Sequence, residues 1–228
     1  MPDSVPVITI DGPGGSGKGT ISMLLAESLG WNLLDSGALY RLVAVAALNQ
    51  QLETAADELR LGQVAADLQA EFTVENRGVK VLLEGEDVSS RLRSEEVSVL
   101  ASRLATLPAV REALVERQRA FRRLPGLVAD GRDMGTVIFP DASLKIYLTA
   151  SVEERAQRRY KQLKQKGESV NLSRLFQEIE ERDRRDRTRI LAPLKPAFDS
   201  HIIDSSELSV DEVLAKILFL CMEAQIIV

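Results

Sequence analysis

Apolar and polar positions fall into blocks along the chain, and the spacing inside each block predicts an element. Val5 to Ile10 is a short apolar run ending in Asp11-Gly12, and from Lys18 to Leu29 the residues Ile21, Leu24, Leu25 and Leu29 recur at helical spacing. The prediction is strand, glycine loop, helix. Gly30 stops that helix, Trp31 to Leu34 suits a second short strand, and helical spacing resumes from Gly37 to Leu48 through Leu39, Leu42, Val43 and Ala46. The opening is therefore β-α-β-α.

From about Gly62 to Thr106 the texture changes. Phe72 and Val74 alternate with polar residues, Asn76-Arg77-Gly78 supplies a turn, and Val79, Val81 and Leu83 alternate again, which predicts an antiparallel hairpin. A helix is expected over Glu95 to Ala105, and Pro108, suited to a first helical turn, opens another to Arg123 before Pro125-Gly126 breaks it. Leu127 to Ala129 and Leu144 to Leu148 are apolar runs of strand length, as in parallel strands buried on both faces. Ser151-Val152-Glu153-Glu154 and Ser209-Val210-Asp211-Glu212 have capping-box spacing, so a helix should start at each, and His201 to Asp204 makes a last short strand.

The segment Gly12-Pro13-Gly14-Gly15-Ser16-Gly17-Lys18-Gly19-Thr20 carries the chemistry. Gly12, Gly17 and Lys18 satisfy the G-x-x-x-x-G-K pattern of a phosphate-binding loop, in the strand-to-helix context that the pattern requires. Glycines let backbone N–H groups converge on phosphate oxygens, a helix N-terminus adds partial positive charge, and the lysine reaches the outer phosphates. A plain glycine-rich turn would lack that combination of flanks, spacing and lysine. Gly19 stands where a Ser or Thr hydroxyl usually meets Mg²⁺, so the metal is expected on phosphates and water with no direct protein ligand. This G-K-G-T ending is similar to that of nucleoside monophosphate kinases.

Three further stretches lie where ligands gather at the strand ends of an α/β sheet. After the second strand come Asp35 to Arg41, in which Ser36 and Arg41 suit a second phosphate; taken alone, the stretch is equally a turn with a surface arginine. After the buried strand Leu127 to Ala129 come Asp130, Arg132 and Asp133: Arg132 suits bidentate phosphate binding and Asp133 a base or sugar, while Asp130 is left a structural or metal-water role. In Glu181 to Arg189, a helix puts Arg182, Arg185, Asp186 and Arg189 on one mostly basic face, the other charges pairing outward. A charge run is normally a solvated face whose exposed pairs contribute only about 0 to 1 kcal/mol. Beside an ATP loop, three arginines on one face favour phosphate clamping. Arg155 and Arg159, one helical turn apart, suit a nucleotide base and its phosphates, and polar Lys161 to Val170, with Gly167, suits a lid.

Composition narrows the field. The chain has 228 residues, 45% hydrophobic and 28% charged, enough to bury a core without metal or disulfide. Its one cysteine, Cys221, and one histidine, His201, exclude an internal bridge and most zinc, haem and Ser-His-Asp schemes. No segment approaches the roughly 20 apolar residues that span a bilayer. A reducing, cytoplasmic setting fits. A net charge of -5 and the lack of aromatics near the arginines argue against the alternative of a nucleotide-gated nucleic-acid binder.

Over nearly its whole length the sequence resembles bacterial cytidylate kinases. The likeness rests on I-D-G-P-G-G-S-G-K-G-T from Ile10, L-L-D-S-G-A-L-Y-R from Leu33, L-E-G-E-D-V-S from Leu83, V-R-E-A-L from Val110, A-D-G-R-D-M-G-T-V-I-F-P-D-A from Ala129 and E-R-D-R-R-D-R-T-R from Glu181. The resemblance implies that Ser36, Arg41 and Arg132 hold the acceptor monophosphate, that Ser102, Arg111 and Asp133 read cytosine, that Arg182 and Asp186 contact the ribose, and that Arg189 contacts the phosphates. It implies phosphoryl transfer from ATP with Mg²⁺ to CMP or dCMP, with UMP, AMP or a sugar acid as neighbouring alternatives. Lys18, Arg132, Arg182 and Arg189 are the expected catalytic set. The expected fold is α/β: a P-loop NTPase three-layer parallel-sheet core (1–61, 107–160, 190–228), an inserted monophosphate-binding lobe (62–106) and a short helical lid (161–189). A monomer that binds small molecules, not nucleic acid or membrane, is expected.

Overall fold

The computed structural model describes residues 5–54, 56–75, 78–165 and 167–226. In chain order these form β1 (Val7–Asp11), α1 (Lys18–Leu29), β2 (Asn32–Asp35), α2 (Ser36–Asn49), α3 (Glu58–Ala66), β3 (Ala70–Glu75), β4 (Gly78–Leu83), β5 (Glu86–Asp87), α4 (Glu95–Leu104) and α5 (Pro108–Arg119). There follow β6 (Leu127–Gly131), a π-helical turn (Met134–Ile138), β7 (Leu144–Thr149), α6 (Val152–Gln165), α7 (Leu172–Thr188), β8 (His201–Asp204) and α8 (Val210–Glu223). The chain divides into two compact units, Met1–Asp35 with Arg119–Val228, and Ser36–Gln118.

The first unit is built on a five-stranded sheet in the order β2-β6-β1-β7-β8, with every pairing parallel. All residues of β1 and β6 are buried, which is why these strands are continuous apolar runs rather than alternating ones. Ile8, Ile10, Val128, Ile146 and Ile203 pack with Ile21 and Leu25 of α1 and with Val213, Ile217 and Cys221 of α8. The Ser209 and Glu212 side chains form a full reciprocal capping box at the start of α8, a cap of the kind that contributes about 1 kcal/mol. At Ser151 only half of the expected box forms, its hydroxyl accepting from the Glu154 N–H. Because β1 has β6 on one side and β7 on the other, the loop leaving its C-terminal end opens at the crevice where strand order reverses.

Lys145 lies inside the apolar run of β7. It remains buried by donating to the Pro140 carbonyl at 2.7 Å and to both Asp199 oxygens at 2.9 Å. The helix expected to reach Arg123 ends at Arg119, because the carbonyls beyond it turn to another donor: the Asn32 side-chain amide donates to Arg123 O at 2.8 Å and to Gly126 O at 2.9 Å.

The second unit holds the three-stranded antiparallel sheet β3-β4-β5 and helices α2 to α5. The expected hairpin is present as β3 and β4 in register Ala70↔Leu83 through Glu75↔Gly78; its turn at Asn76 and Arg77 lies outside the described residues, as does Lys166 of the expected lid segment. This unit is wider than the 62–106 stretch read from sequence, since α2, with nearly every residue from Ala38 to Ala47 buried, packs on α3 and α4 inside it. Helix α3 was not expected. Leu61 and Ala65 are buried one turn apart on it, and Gly62, which marks a change of texture in the sequence, lies within the helix, where an added Cβ would come 2.9 Å from the Ala109 Cβ.

Gly126 sits against the ring of Trp31, and a Cβ added there would fall 2.3 Å from a ring atom. Gly126→Ala should therefore destabilise by about 1–3 kcal/mol, lowering Tm by roughly 2–4 °C per kcal/mol. The fluorescence of Trp31, the chain's one tryptophan, reports the melt; an unshifted transition would show that the ring does not hold this loop.

Candidate active site

The loop after β1 owes its shape to glycine. At Gly12 φ is +150°, and a Cβ would come 2.0 Å from the Leu148 carbonyl oxygen, so no other residue permits this approach of loop to β7. At the other end Gly17 caps α1 with φ 94°, no side chain caps the first turn and no acidic residue lies in it. The first N–H groups of α1 are thus left for an anion. Inside the loop the Lys18 Nζ donates to the Pro13 carbonyl at 2.8 Å, and the Ser16 hydroxyl donates to the same oxygen at 3.1 Å.

Side chains from the segment just after β6 and from α7 come to the tip of this loop. A Cβ on Gly14 would lie 3.4 Å from the Arg132 Nη2 and 3.7 Å from the Arg182 Nη1, so two guanidinium groups flank the same residue. Arg132 Nε donates to Asp186 Oδ2 at 3.0 Å, and Arg189 Nη2 lies 3.8 Å from Asp133 Oδ1. Burial opposes the charge on Asp186, but Arg132, Arg182 and Arg189 hold its carboxyl below the usual value. Burial, with Arg132 and Arg182 nearby, brings the Lys18 ammonium down to about 7 against the pull of Asp130 and Asp11. Lys18, Arg132, Arg182 and Arg189 thus stand with Asp11, Asp130, Asp133 and Asp186 around one loop, a concentration of ammonium and guanidinium donors suited to phosphate oxygens.

Asp130, next to last in β6, has its Oδ2 3.5 Å from where a Cβ on Gly19 would lie, so a carboxylate stands beside the position that lacks a hydroxyl. Thr20 is exposed. Among the described residues no cluster of three or more histidine, cysteine or acidic side chains is arranged to hold a metal. In the second unit, Ser36 is the buried first residue of α2 and Arg41 lies half-buried on the same helix. Buried Arg111 donates to the Ala105 carbonyl at 3.2 Å and to the Tyr40 hydroxyl at 3.3 Å, and the Ser102 hydroxyl is buried without a hydrogen-bond partner.

Four placements differ from the sequence reading. Helix α7 ends at Thr188, so Arg189 reaches Asp133 from an extended cap residue and not from the helical face. Arg185 pairs with Glu181 at 3.3 Å. Asp183, expected to pair outward, is buried. Arg155, expected at the nucleotide base, has its guanidinium directed wholly at protein acceptors: Ala150 O, Gly14 O and both oxygens of Asp183. Arg159 is half-buried on α6.

Sequence reasoning also passed over three residues that shape the site. Asp11 accepts the N–H groups of Met134 and Gly135, each at 2.8 Å, and so ties the segment after Arg132 and Asp133 to the end of β1. Burial pushes its carboxyl up to about 7, with Asp133 adding to the rise and the two N–H groups and Lys18 opposing it. Arg158, one residue before the arginine singled out, donates to the Ser205 hydroxyl at 3.1 Å and the Ser16 carbonyl at 3.5 Å. Ser205 donates in turn to Ser16 O at 3.1 Å. The Asp-Gly junction at the end of β1 was the available signal for Asp11; a serine in a surface-like Ser-Ser pair offered none.

Comparison with known proteins agrees with this geometry. The family model for cytidylate kinase matches residues 8–223. The cytidylate kinase of Aeromonas salmonicida (strain A449) is 60% identical over 218 residues, covering 96% of this chain and 94% of that one. That of Pseudomonas entomophila (strain L48) is 59% identical, covering 95% and 96%, and that of Klebsiella pneumoniae (strain 342) 56% identical, covering 96% of each. With a phosphate loop at the sheet crevice, arginines converging on its tip and a match along nearly the full length, the chain belongs to the cytidylate kinase family.

Proposed function

We propose that the chain transfers the γ-phosphoryl group of MgATP to the 5'-phosphate of CMP or dCMP, giving ADP and CDP or dCDP, as a cytoplasmic enzyme of pyrimidine nucleotide metabolism. The observation that carries this reading is the convergence of Lys18, Arg132 and Arg182 on the glycine loop. Two polyanions must be brought together for the transfer, and their mutual repulsion is what these cations offset.

The acceptor phosphate is already ionised at neutral pH, so no strong general base is required. The work of the protein is positioning and charge neutralisation. Gly12 to Thr20 supply backbone donors and Lys18 for the ATP phosphates. Ser36, Arg41 and Arg132 hold the acceptor phosphate, Arg182 and Asp186 its ribose, and Arg189 the phosphates. Ser102, Arg111 and Asp133 read the cytosine; the buried, unpartnered Ser102 hydroxyl supports this, since such a group normally has a partner, here supplied by the base. Mg²⁺ supplies charge neutralisation on the phosphate oxygens, and Asp130 beside Gly19 fits a contact to one of its waters.

Lys18 and Asp11, both brought to about 7, give this site a pH signature. Lys18 is lowered from 10.5 to about 7, so between those values the unfolded chain holds a proton that the folded one lacks and stability rises with pH. Asp11 is raised from 3.8 to about 7, so across that interval the folded chain holds the extra proton and stability falls as pH rises. Triphosphate beside Lys18 restores its charge.

At pH 8, where Lys18 is mostly neutral and Asp11 mostly ionised, MgATP binding should take up protons; calorimetry in two buffers of different ionisation enthalpy measures this, and equal heats would contradict it. Lys18→Ala should lower kcat by about 10²–10³-fold with the fold intact, and a near-normal rate would reject the assignment. ADP release measured with CMP, dCMP, UMP, AMP and sugar acids should favour the cytidine nucleotides, and a flat profile would defeat the specificity.

A further inference from the structure

The largest fully buried side chain of the first unit is charged. Arg155 is 1% exposed and Asp183 3% exposed, and they meet in a two-pronged pair, Nη1 to Oδ1 at 3.0 Å and Nη2 to Oδ2 at 2.6 Å. The same guanidinium donates through Nη1 to Gly14 O at 3.0 Å and through Nε to Ala150 O at 3.0 Å. Its Cβ would touch a Cβ on Gly15 at 3.3 Å. A desolvated ion pair is a weak source of stability, because apolar side chains of similar volume usually serve as well. What this pair does that apolar residues cannot is orient a carbonyl.

Gly14 is the loop residue flanked by Arg132 and Arg182. Its C=O faces Arg155, away from an incoming phosphate; turned the other way, its oxygen would repel that phosphate and one inward N–H would be lost. Asp183 follows Arg182 directly and precedes Asp186 by less than one helical turn, so the partner of Arg155 is fixed to the two α7 residues that work at the loop tip. Arg187, 3.8 Å from Asp183 Oδ2, lies too far to take the place of Arg155.

We infer that Arg155 and Asp183 are a positioning pair, which fixes the Gly14 carbonyl in its anion-accepting orientation and sets α7 so that Arg182 and Asp186 face the loop. Neither residue touches nucleotide. The inference deepens the kinase reading and rests on it for its catalytic consequence: pairing joins donor loop to lid helix, so that its loss weakens nucleotide binding and lets water compete with the acceptor.

The test compares full-length Arg155→Lys, Asp183→Asn and the apolar double variant Arg155→Met/Asp183→Leu with wild type, and with Arg174→Ala as a control on the exposed face of α7. MgADP affinity by calorimetry, corrected for folded fraction, ADP release with and without CMP, and Tm are measured. The double variant should keep Tm within a few degrees, bind MgADP about 10-fold or more weakly, and show a raised share of CMP-independent hydrolysis; Arg155→Lys should recover part of the affinity. If the double variant melts below assay temperature, Asp183→Asn and Arg155→Lys carry the same comparison. Wild-type affinity and partition in the folded fraction of these variants would overturn the inference, since a purely structural pair would move Tm alone. The affinity arm needs no acceptor, so a wild-type protein inert toward CMP would sink the kinase reading while this arm still decides the pair.

Discussion

The constraint on which the rest of the structure depends is that several cations must be held close together before any anion arrives. Lys18, Arg132 and Arg182 crowd the tip of one loop, and like charges at such range repel strongly wherever water is excluded. The protein tolerates this in three ways. Asp186 and Asp130 offset part of the charge, the Lys18 ammonium is made weakly basic, and the most buried arginine is turned away from the cluster to a carboxylate of its own. The cationic donors are in this way fixed in advance, with no reorganisation left to make when phosphates bind.

The scaffold is arranged to keep that cluster in place. β1 delivers the loop, and its last residue, Asp11, also grips the backbone just beyond Arg132 and Asp133. Helix α6 contributes two arginines to the loop's underside, Arg155 at Gly14 and Arg158 at Ser16. Each backbone carbonyl engaged from below is one that does not face the ligand. The shape of the loop therefore rests on a layer of residues beneath it.

Much of this was legible in the sequence, and the remainder failed for identifiable reasons. The glycine loop was readable because its backbone needs small residues at fixed spacing, and the sheet because strands buried on both faces must be apolar throughout. Among Arg155, Arg158 and Arg159 the sequence offered no means of choosing, since all three sit within little more than one helical turn and the rotation of α6 is set by tertiary burial of Ala156 and Leu163. Asp183 was hidden inside a charge run whose usual fate is solvent, and its burial depends on an arginine 28 positions earlier. Gly62 looked like a boundary because a glycine that breaks a helix and one that lets two helices touch are the same letter.

The clasp made by Ser205 has a consequence for biosynthesis. Its hydroxyl reaches back across most of the chain to Ser16, and its backbone N–H donates to Thr149 O at 2.8 Å. The glycine loop is thus braced by a residue 189 positions further along the chain. During synthesis the glycine loop therefore emerges well before Ser205, and the brace beneath it forms only after the segment that follows β8 has joined the sheet.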